Sequence, residues 1–415
     1  MGTAAEMHRL ALQIERLAID GGEPVRTTAP PRWPTYAPDE VAAVVETLWS
    51  GNVNQWTGHR VSAFERAFAE MHQKPHAVAV ANGSLALEAV LRAHGVGPGD
   101  EVIVTPRSFI ASASCVDLVS AKPVFADIDV DTELITPATV RPLIGPRTKA
   151  IIVVHLNGRP ADMPGFMELA RRHDLLVFED CAQAHGARID GKLVGSFGHA
   201  SAFSFCQDKV ITTGGEGGMA LFSDDATWKR AWSYRDHGKD YAAVFQTRNG
   251  DHGFRWLHES FGSNWRLTEL QAAIGLIQLS KLPVWTATRT AIARQYAEWL
   301  GIYRSAHVTP LPKGHAHAYY RFEFRLNPQN LKPEWSRDRV MRALISEGIP
   351  CLVGACPEIY REGAYAKSLP GFQRLPNAAY LGSVSLCFLV APTFDENFLS
   401  DCRAAINKVF SAATI

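Results

Sequence analysis

The sequence predicts an α/β fold built on a mostly parallel sheet, with a smaller α+β domain packed against it. Three observations predict this. Between residues 76 and 222, short apolar runs alternate with segments of helical periodicity. The runs are nearly continuous rather than alternating, as in strands covered on both faces. After about residue 315 the texture changes to that of a separate, smaller unit.

In chain order, residues 4–19 read as a short helical arm, followed by a Gly- and Pro-rich connector from 21 to 38. An amphipathic helix comes next, with Val41, Val44, Val45 and Leu48 on one face and Gly51 just past its end. Strands are expected at 77–81, 101–105, 150–155, 175–179, 200–205 and 218–222, with helices at 84–94, 109–119 and 164–173. A long helical region covers 267–300, and Pro283 is expected to interrupt it. A strand at 319–326 then precedes a helix started by Ser336 and stopped by Gly348 and Pro350. The expected division is an arm at 1–32, a large cofactor-binding domain at 33–285 and a small domain at 286–415.

Composition excludes several classes. Hydrophobic residues make up 47% and charged residues 20%, and 42 Lys+Arg offset 42 Asp+Glu. A balanced chain lacks the broad positive field that drives binding to nucleic acid or anionic membranes. No apolar stretch approaches the ~20 residues of a membrane span. The N-terminus has Glu6 where a myristoylation signal has Ser or Thr, and it lacks a secretory pattern. The seven scattered cysteines form no C-x-x-C pair and no zinc pattern. Reduced thiols, no metal and a cytoplasmic location are therefore expected.

Ligands of open α/β sheets sit at the carboxyl ends of strands, and three such ends carry polar groups. The run 77–81 ends in Asn82, Gly83 and Ser84 at a helix start. Ser84 reads as the N-cap, and the first-turn amides make a phosphate site. The run 175–179 ends in Asp180 and Gln183, where a carboxylate beside a buried strand needs a cation or donor, or else caps a helix. The run 200–205 contains Ser204 and leads to Lys209 and the glycine-rich turn 214–218. A lysine beside such a turn is expected to be desolvated, with a lowered pKa, and the glycines to let backbone approach a bound ring.

Each feature alone has an ordinary structural explanation. Together, an amine for an aldehyde, an anion for a ring nitrogen and donors for a phosphate match the needs of pyridoxal 5′-phosphate (PLP). A nicotinamide-dependent oxidoreductase fits less well, since no strand ends in G-x-G-x-x-G with an acidic residue about 20 positions later.

The segment 177–221, VFEDCAQAHGARIDGKLVGSFGHASAFSFCQDKVITTGGEGGMAL, resembles the DegT/DnrJ/EryC1/StrS aminotransferases. Further matches are RVSAFERAF at 60–68, ANGSLAL at 81–87, PRSFIAS at 106–112 and GSNWRLTELQAAIG at 262–275. The resemblance implies a fold-type I PLP enzyme. Lys209 then forms the Schiff base to the cofactor, and Asp180 is the partner of the pyridine nitrogen. Gln183 contacts the ring oxygen, Phe109 stacks on the ring, and Gly83, Ser84 and Ser204 hold the phosphate. Asn264 matches an asparagine that reaches the phosphate of a neighbouring subunit, which implies a homodimer with shared active sites. A branch of the family with histidine in place of the lysine deoxygenates sugars, so Lys209 implies transamination. A non-enzymatic sensor or scaffold on the same fold is expected to lack the lysine or the aspartate, and both are present.

The implied reaction moves an amino group from glutamate or glutamine to a keto-sugar, nucleotide-linked or a sugar acid. The opening LAIDGGEPVR at 17–26 is similar instead to inosose aminotransferases and aminohydroxybenzoate synthases. Many nucleotide-sugar members carry Tyr-x-Pro-Leu-His after the small-domain helix stop. Here Gly354, Ala355, Cys356, Pro357, Glu358, Ile359 and Tyr360 stand there, so those contacts do not carry over. Asn54, Trp56, Thr57, Gly58, His317 and Tyr319 are candidates for the substrate side.

Overall fold

A computed structural model describes residues 16–246 and 254–415. The expected arm at 4–19 lies outside the described residues up to position 15. Within them, Ala18–Asp20 form a single 3₁₀ turn.

The main sheet has seven strands: β1 His76–Val80, β2 Glu101–Val104, β3 Lys122–Phe125, β4 Thr148–Val154, β5 Leu176–Asp180, β8 Ala200–Ser204 and β9 Gly218–Phe222. A small excursion between β5 and β8 holds β6 Arg188–Ile189 and β7 Lys192–Leu193. The spatial order of the main sheet is β1-β9-β8-β5-β4-β2-β3. The five strands from β8 to β3 run parallel, and β9 pairs antiparallel with both β1 and β8. All six strands expected in this region are present. β3, which the sequence did not suggest, is a sheet edge carrying Pro123 and an exposed Lys122, so its apolar run is short.

The interior strands are apolar because helices cover both faces. Val78, Ile103, Ile152, Val177 and Phe203 are fully buried. Helices Gly83–Ala93, Ala111–Leu118 and Met163–His173 follow β1, β2 and β4 within two residues of the expected ranges.

Two expectations about helices need correction. Glu269–Gly301 is one helix of 33 residues with Pro283 inside it, not two. Its first half buries Ala272 and Leu282 in the first core, and its second half buries Ile292, Tyr296 and Leu300 in a second core. Packing at both ends outweighs the ~3 kcal/mol cost of an interior proline. The helix Pro38–Ser50 is present, yet Val41 and Leu48 are each 54% exposed. Val44 and Val45 of the same stripe are half-buried, and Glu40 and Thr47 are the buried residues.

The C-terminal region contains β10 Ala306–His307, β11 His315–Ala316, β12 Arg321–Leu326, β13 Cys351–Leu352 and β14 Ser385–Leu389. β10, β12, β14 and β13 form an antiparallel four-stranded sheet, and β11 joins β6 and β7. β12 begins two residues later than expected, because Tyr319 has a positive φ of 48° that breaks the extended chain. The helix Arg337–Ser346 starts at Ser336, whose side chain accepts from Arg339 N, and it stops before Gly348 at φ 89°. Leu17 packs with the second core, whereas Ile359, Tyr360, Tyr365 and Leu381 pack with the first.

Candidate active site

Lys209 lines a cavity of about 750 Å³ at the carboxyl ends of β1, β5 and β8, with Tyr320, Arg321 and Gly354 of the C-terminal region also lining it. That size suits a cofactor together with a substrate. Gly83, Ser84, Phe109, Asp180, Gln183 and Ser204 line the same cavity. The three strand ends singled out in the sequence are thus brought together.

At the end of β1 the helix begins one residue earlier than expected. Asn82, rather than Ser84, is the N-cap, its side chain accepting from Leu85 N at 3.0 Å. Ser84 is left in the first turn, where amides lack intrahelical partners and the helix end is positive. Gly83 has a steric cause. A Cβ there would stand 2.6 Å from the Ser204 Cβ, so only glycine lets the helix start close against β8.

Asp180 is the last residue of β5 and is 4% exposed. Oδ2 accepts from Ser112 Oγ at 2.7 Å, and Oδ1 from Ala182 N at 3.1 Å. Burial pushes its pKa above the ordinary aspartate value, against these two hydrogen bonds. Both donors are neutral, so the carboxylate has a place for a cationic N–H. Ser112, which the sequence reading did not single out, lies inside the PRSFIAS motif.

Lys209 Nζ lies 3.2 Å from Asp208 Oδ1 and 3.4 Å from Tyr320 Oη, over the Tyr320 ring. The Tyr320 hydroxyl in turn donates to Asp208 Oδ2. Burial opposes the ammonium form, but Tyr320 and Asp208 outweigh it. The lysine therefore holds its proton more tightly than usual. This overturns the expected lowered pKa: the residue preceding the lysine in sequence supplies a counter-charge.

The glycine-rich turn is also corrected. Of its residues only Glu216 lines the cavity. A Cβ on Gly217 would collide with the Thr213 hydroxyl, and one on Gly218 with the backbone of Asn82. These glycines let the turn fold against the protein itself rather than against a ring.

Other candidates fall elsewhere. His317 and Tyr319 line a separate cavity of about 90 Å³, which shares only Asn157 with the larger one. Their rings stack at 4.1 Å, and Tyr319 N donates to His317 Nδ1 at 2.8 Å. Trp56 sits beside Trp232 with Lys239 Nζ 4.3 Å from its ring, and Thr57 Oγ1 bonds Asn54 O at 3.1 Å; neither lines the large cavity. Gly58 packs on Glu269. Asn264 is exposed, bridged to Asp236, and outside the cavity of its own chain. Tyr320 and Arg321, the neighbours of the residues picked from sequence, are the ones that face the site. Tyr319 at a φ of 48° turns the chain just before β12, and that turn sends His317 and Tyr319 to the small cavity and Tyr320 and Arg321 to the large one.

His155, Glu179 and Cys181 offer ligand atoms within 4.8 Å of one another. Hydrogen bonds already use the first two. Glu179 accepts from the amides of Gly195, Phe197 and Gly198 and from His155 Nε2, while His155 Nδ1 accepts from Ala161 N. The ring therefore carries its hydrogen on Nε2 and has no lone pair to give a metal. All seven cysteines are free thiols. No helix among the described residues is long and apolar enough to cross a membrane.

Comparison with known proteins identifies the family. The chain is 40% identical over 292 residues to a UDP-N-acetyl-3-dehydro-α-D-glucosamine 3-aminotransferase of Acidithiobacillus ferrooxidans, covering 70% of this chain and 73% of that one. It is 38% identical over 322 residues to an L-glutamine:2-deoxy-scyllo-inosose aminotransferase of Micromonospora echinospora, covering 76% of each. The crystal structure of an aminotransferase from Psychrobacter cryohalolentis superposes with a TM-score of 0.89 at 46% identity, covering 92% of this chain and 99% of that one. The family profile described as DegT/DnrJ/EryC1/StrS aminotransferase matches residues 34–406. With its α/β architecture and mostly parallel sheet, the chain is an aminotransferase of fold type I and belongs to the DegT/DnrJ/EryC1/StrS family.

Proposed function

We propose that the chain binds PLP on Lys209 and transfers an amino group from glutamate or glutamine to a keto-sugar, nucleotide-linked or a sugar acid. The observation that carries this reading is the convergence of Lys209, the buried and cation-free Asp180, and the Gly83–Ser84 helix start in one cavity.

The residues present fit the cofactor. Ser84, the Gly83 amide and the Ser204 hydroxyl suit its phosphate, Asp180 its ring nitrogen, and the Gln183 amide its ring oxygen. Phe109 on the cavity rim suits its ring face. When bound, PLP supplies an electron sink for the pair left on a carbon that loses its proton. Asp180 keeps the ring nitrogen protonated. Lys209 Nζ takes the proton from the donor's α-carbon and returns one on the other side of the exchange. Asp208 and Tyr320 hold that amine in place.

Keto-sugar substrates are supported by the Acidithiobacillus relative, and a cyclitol substrate by the Micromonospora relative and the 17–26 opening. A half-reaction screen separates the two. The protein is loaded with glutamate or glutamine and then offered a nucleotide-linked keto-sugar, a free keto-sugar acid or an inosose. Return of the visible spectrum with an inosose alone would replace the sugar reading with the cyclitol one.

The same reading makes the enzyme a cytoplasmic homodimer with shared sites. Asn264 is exposed, and so are the large apolar side chains of Leu48, Trp49, Trp256 and Phe261, which a second copy would remove from water.

A further inference from the structure

Behind the large cavity, a continuous chain of hydrogen bonds runs from Arg107 through Glu323 and Asn157 to the Gln183 amide. Arg107, in the loop after β2, is 1% exposed and donates from Nη2 to Glu323 Oε1 on β12, itself 8% exposed. Glu323 Oε2 accepts from Asn157 Nδ2. Asn157, at a φ of 56°, donates its backbone N–H to Gln183 Oε1 at 2.6 Å. A backbone N–H only donates, so the Gln183 atom facing it is the oxygen. The Gln183 Nε2 donor is therefore the end left for the cavity that Gln183 lines. Asn157 lines both cavities, so it forms the wall between them. The turn that carries it is wedged tightly: a Cβ on Gly158 would stand 3.0 Å from both Gln183 O and Tyr319 N.

A buried ion pair is costly to desolvate and adds little net stability over an apolar pair of the same shape. Its retention here coincides with a geometric task. Backbone hydrogen bonds of Gly158 and Ala318 hold the turn, and the Glu323 carboxylate adds the one tie to the Asn157 side chain, which fixes how the Asn157 N–H is aimed at Gln183. We propose that Arg107, Glu323 and Asn157 are positioning residues that hold the Gln183 donor toward the cofactor's ring oxygen, so that packing of the C-terminal region sets the protonation of that oxygen. The inference rests on the PLP reading above.

The other charges around the relay are Glu133, Arg159 and Arg294 across the small cavity, with His317 beside them, and Asp180, Asp208, Lys209, Glu216 and Arg321 around the large one. None of the test substitutions alters any of these groups. A donor to the ring oxygen favours its anionic form, so losing the donor raises the pH at which the bound chromophore titrates.

The test is a spectroscopic pH titration of the cofactor-loaded protein. Asn157→Gly keeps the backbone N–H and tolerates the positive φ, but it cuts the link to Glu323. The double variant Arg107→Gln/Glu323→Gln removes both buried charges together, which avoids leaving one unpaired. Gln183→Leu deletes the donor outright. The relay predicts that the midpoint rises in all three, by about one pH unit in Gln183→Leu and by part of that in the others. A midpoint that shifts in Gln183→Leu but stays at the wild-type value in both relay variants would overturn the inference and leave the PLP reading standing. A wild-type protein with no titratable chromophore would overturn both.

Discussion

At the scale of single residues, Asp180 and Lys209 line one cavity but sit in opposite electrostatic environments. Asp180 is buried with a raised pKa and neutral hydrogen-bond partners. A carboxyl whose folded pKa exceeds its unfolded one costs stability as pH climbs through that interval, and the cost persists at neutral pH. The cofactor-free Asp180→Asn protein should therefore melt about 2 °C higher than wild type at pH 7, a gain that shrinks toward pH 4. The same substitution should slow transamination by roughly a thousandfold, about 4 kcal/mol of lost transition-state stabilisation. Calorimetry and single-turnover kinetics check the two halves separately. Lys209 poses the opposite problem, since Asp208 and Tyr320 hold its proton on. Attachment to an aldehyde needs the free amine, so its rate should rise with pH. Asp208→Asn should displace that profile to lower pH, which stopped-flow mixing with PLP would show. Asp180 was legible in the sequence as a carboxylate at a strand end. The raised lysine pKa was not, because it depends on where the Asp208 and Tyr320 side chains meet in space.

At the scale of elements, the site is made by the ends of β1, β5 and β8, and apolar runs of strand length were enough to locate all three. Near-continuous hydrophobicity identifies doubly covered strands wherever they are long. It failed at β3, a short edge carrying a proline. Pro283 was misread because a local cost cannot be weighed in sequence against packing at two distant cores. The glycines at 214–218 were misread because a one-dimensional pattern does not say whether a missing Cβ makes room for a ligand or for the chain itself. Gly83 shows how tight that room is. Gly83→Ala would press on Ser204 and push the first helical turn out of the cavity. It should weaken cofactor binding by at least about tenfold, ~1.4 kcal/mol, while the amine at Lys209 stays reactive. Equilibrium dialysis against PLP measures this, and an unchanged Kd would remove the helix start from the phosphate site.

At the scale of the whole molecule, the large cavity is lined both by the strand ends of the sheet and by Tyr320, Arg321 and Gly354 from the C-terminal region. The helix Glu269–Gly301 runs through both cores and ties the two sides together. The exposed face of Pro38–Ser50 looked like a core face in the sequence, since periodicity reports that a stripe is apolar but not what covers it. A second copy of the chain is the proposed cover, and it would bring Asn264 to the neighbouring site. Co-expressed Lys209→Ala and Asn264→Ala chains should then form mixed dimers. One site in each would carry both defects and the other neither, so activity returns although each parent is impaired. Activity that stays at the parental level would exclude the shared site. The most direct test of the central claim is borohydride reduction of the loaded protein followed by peptide mapping. The structure predicts one equivalent of pyridoxyl label per chain, on Lys209 and lost in Lys209→Ala. Label on another lysine, or none, would contradict it.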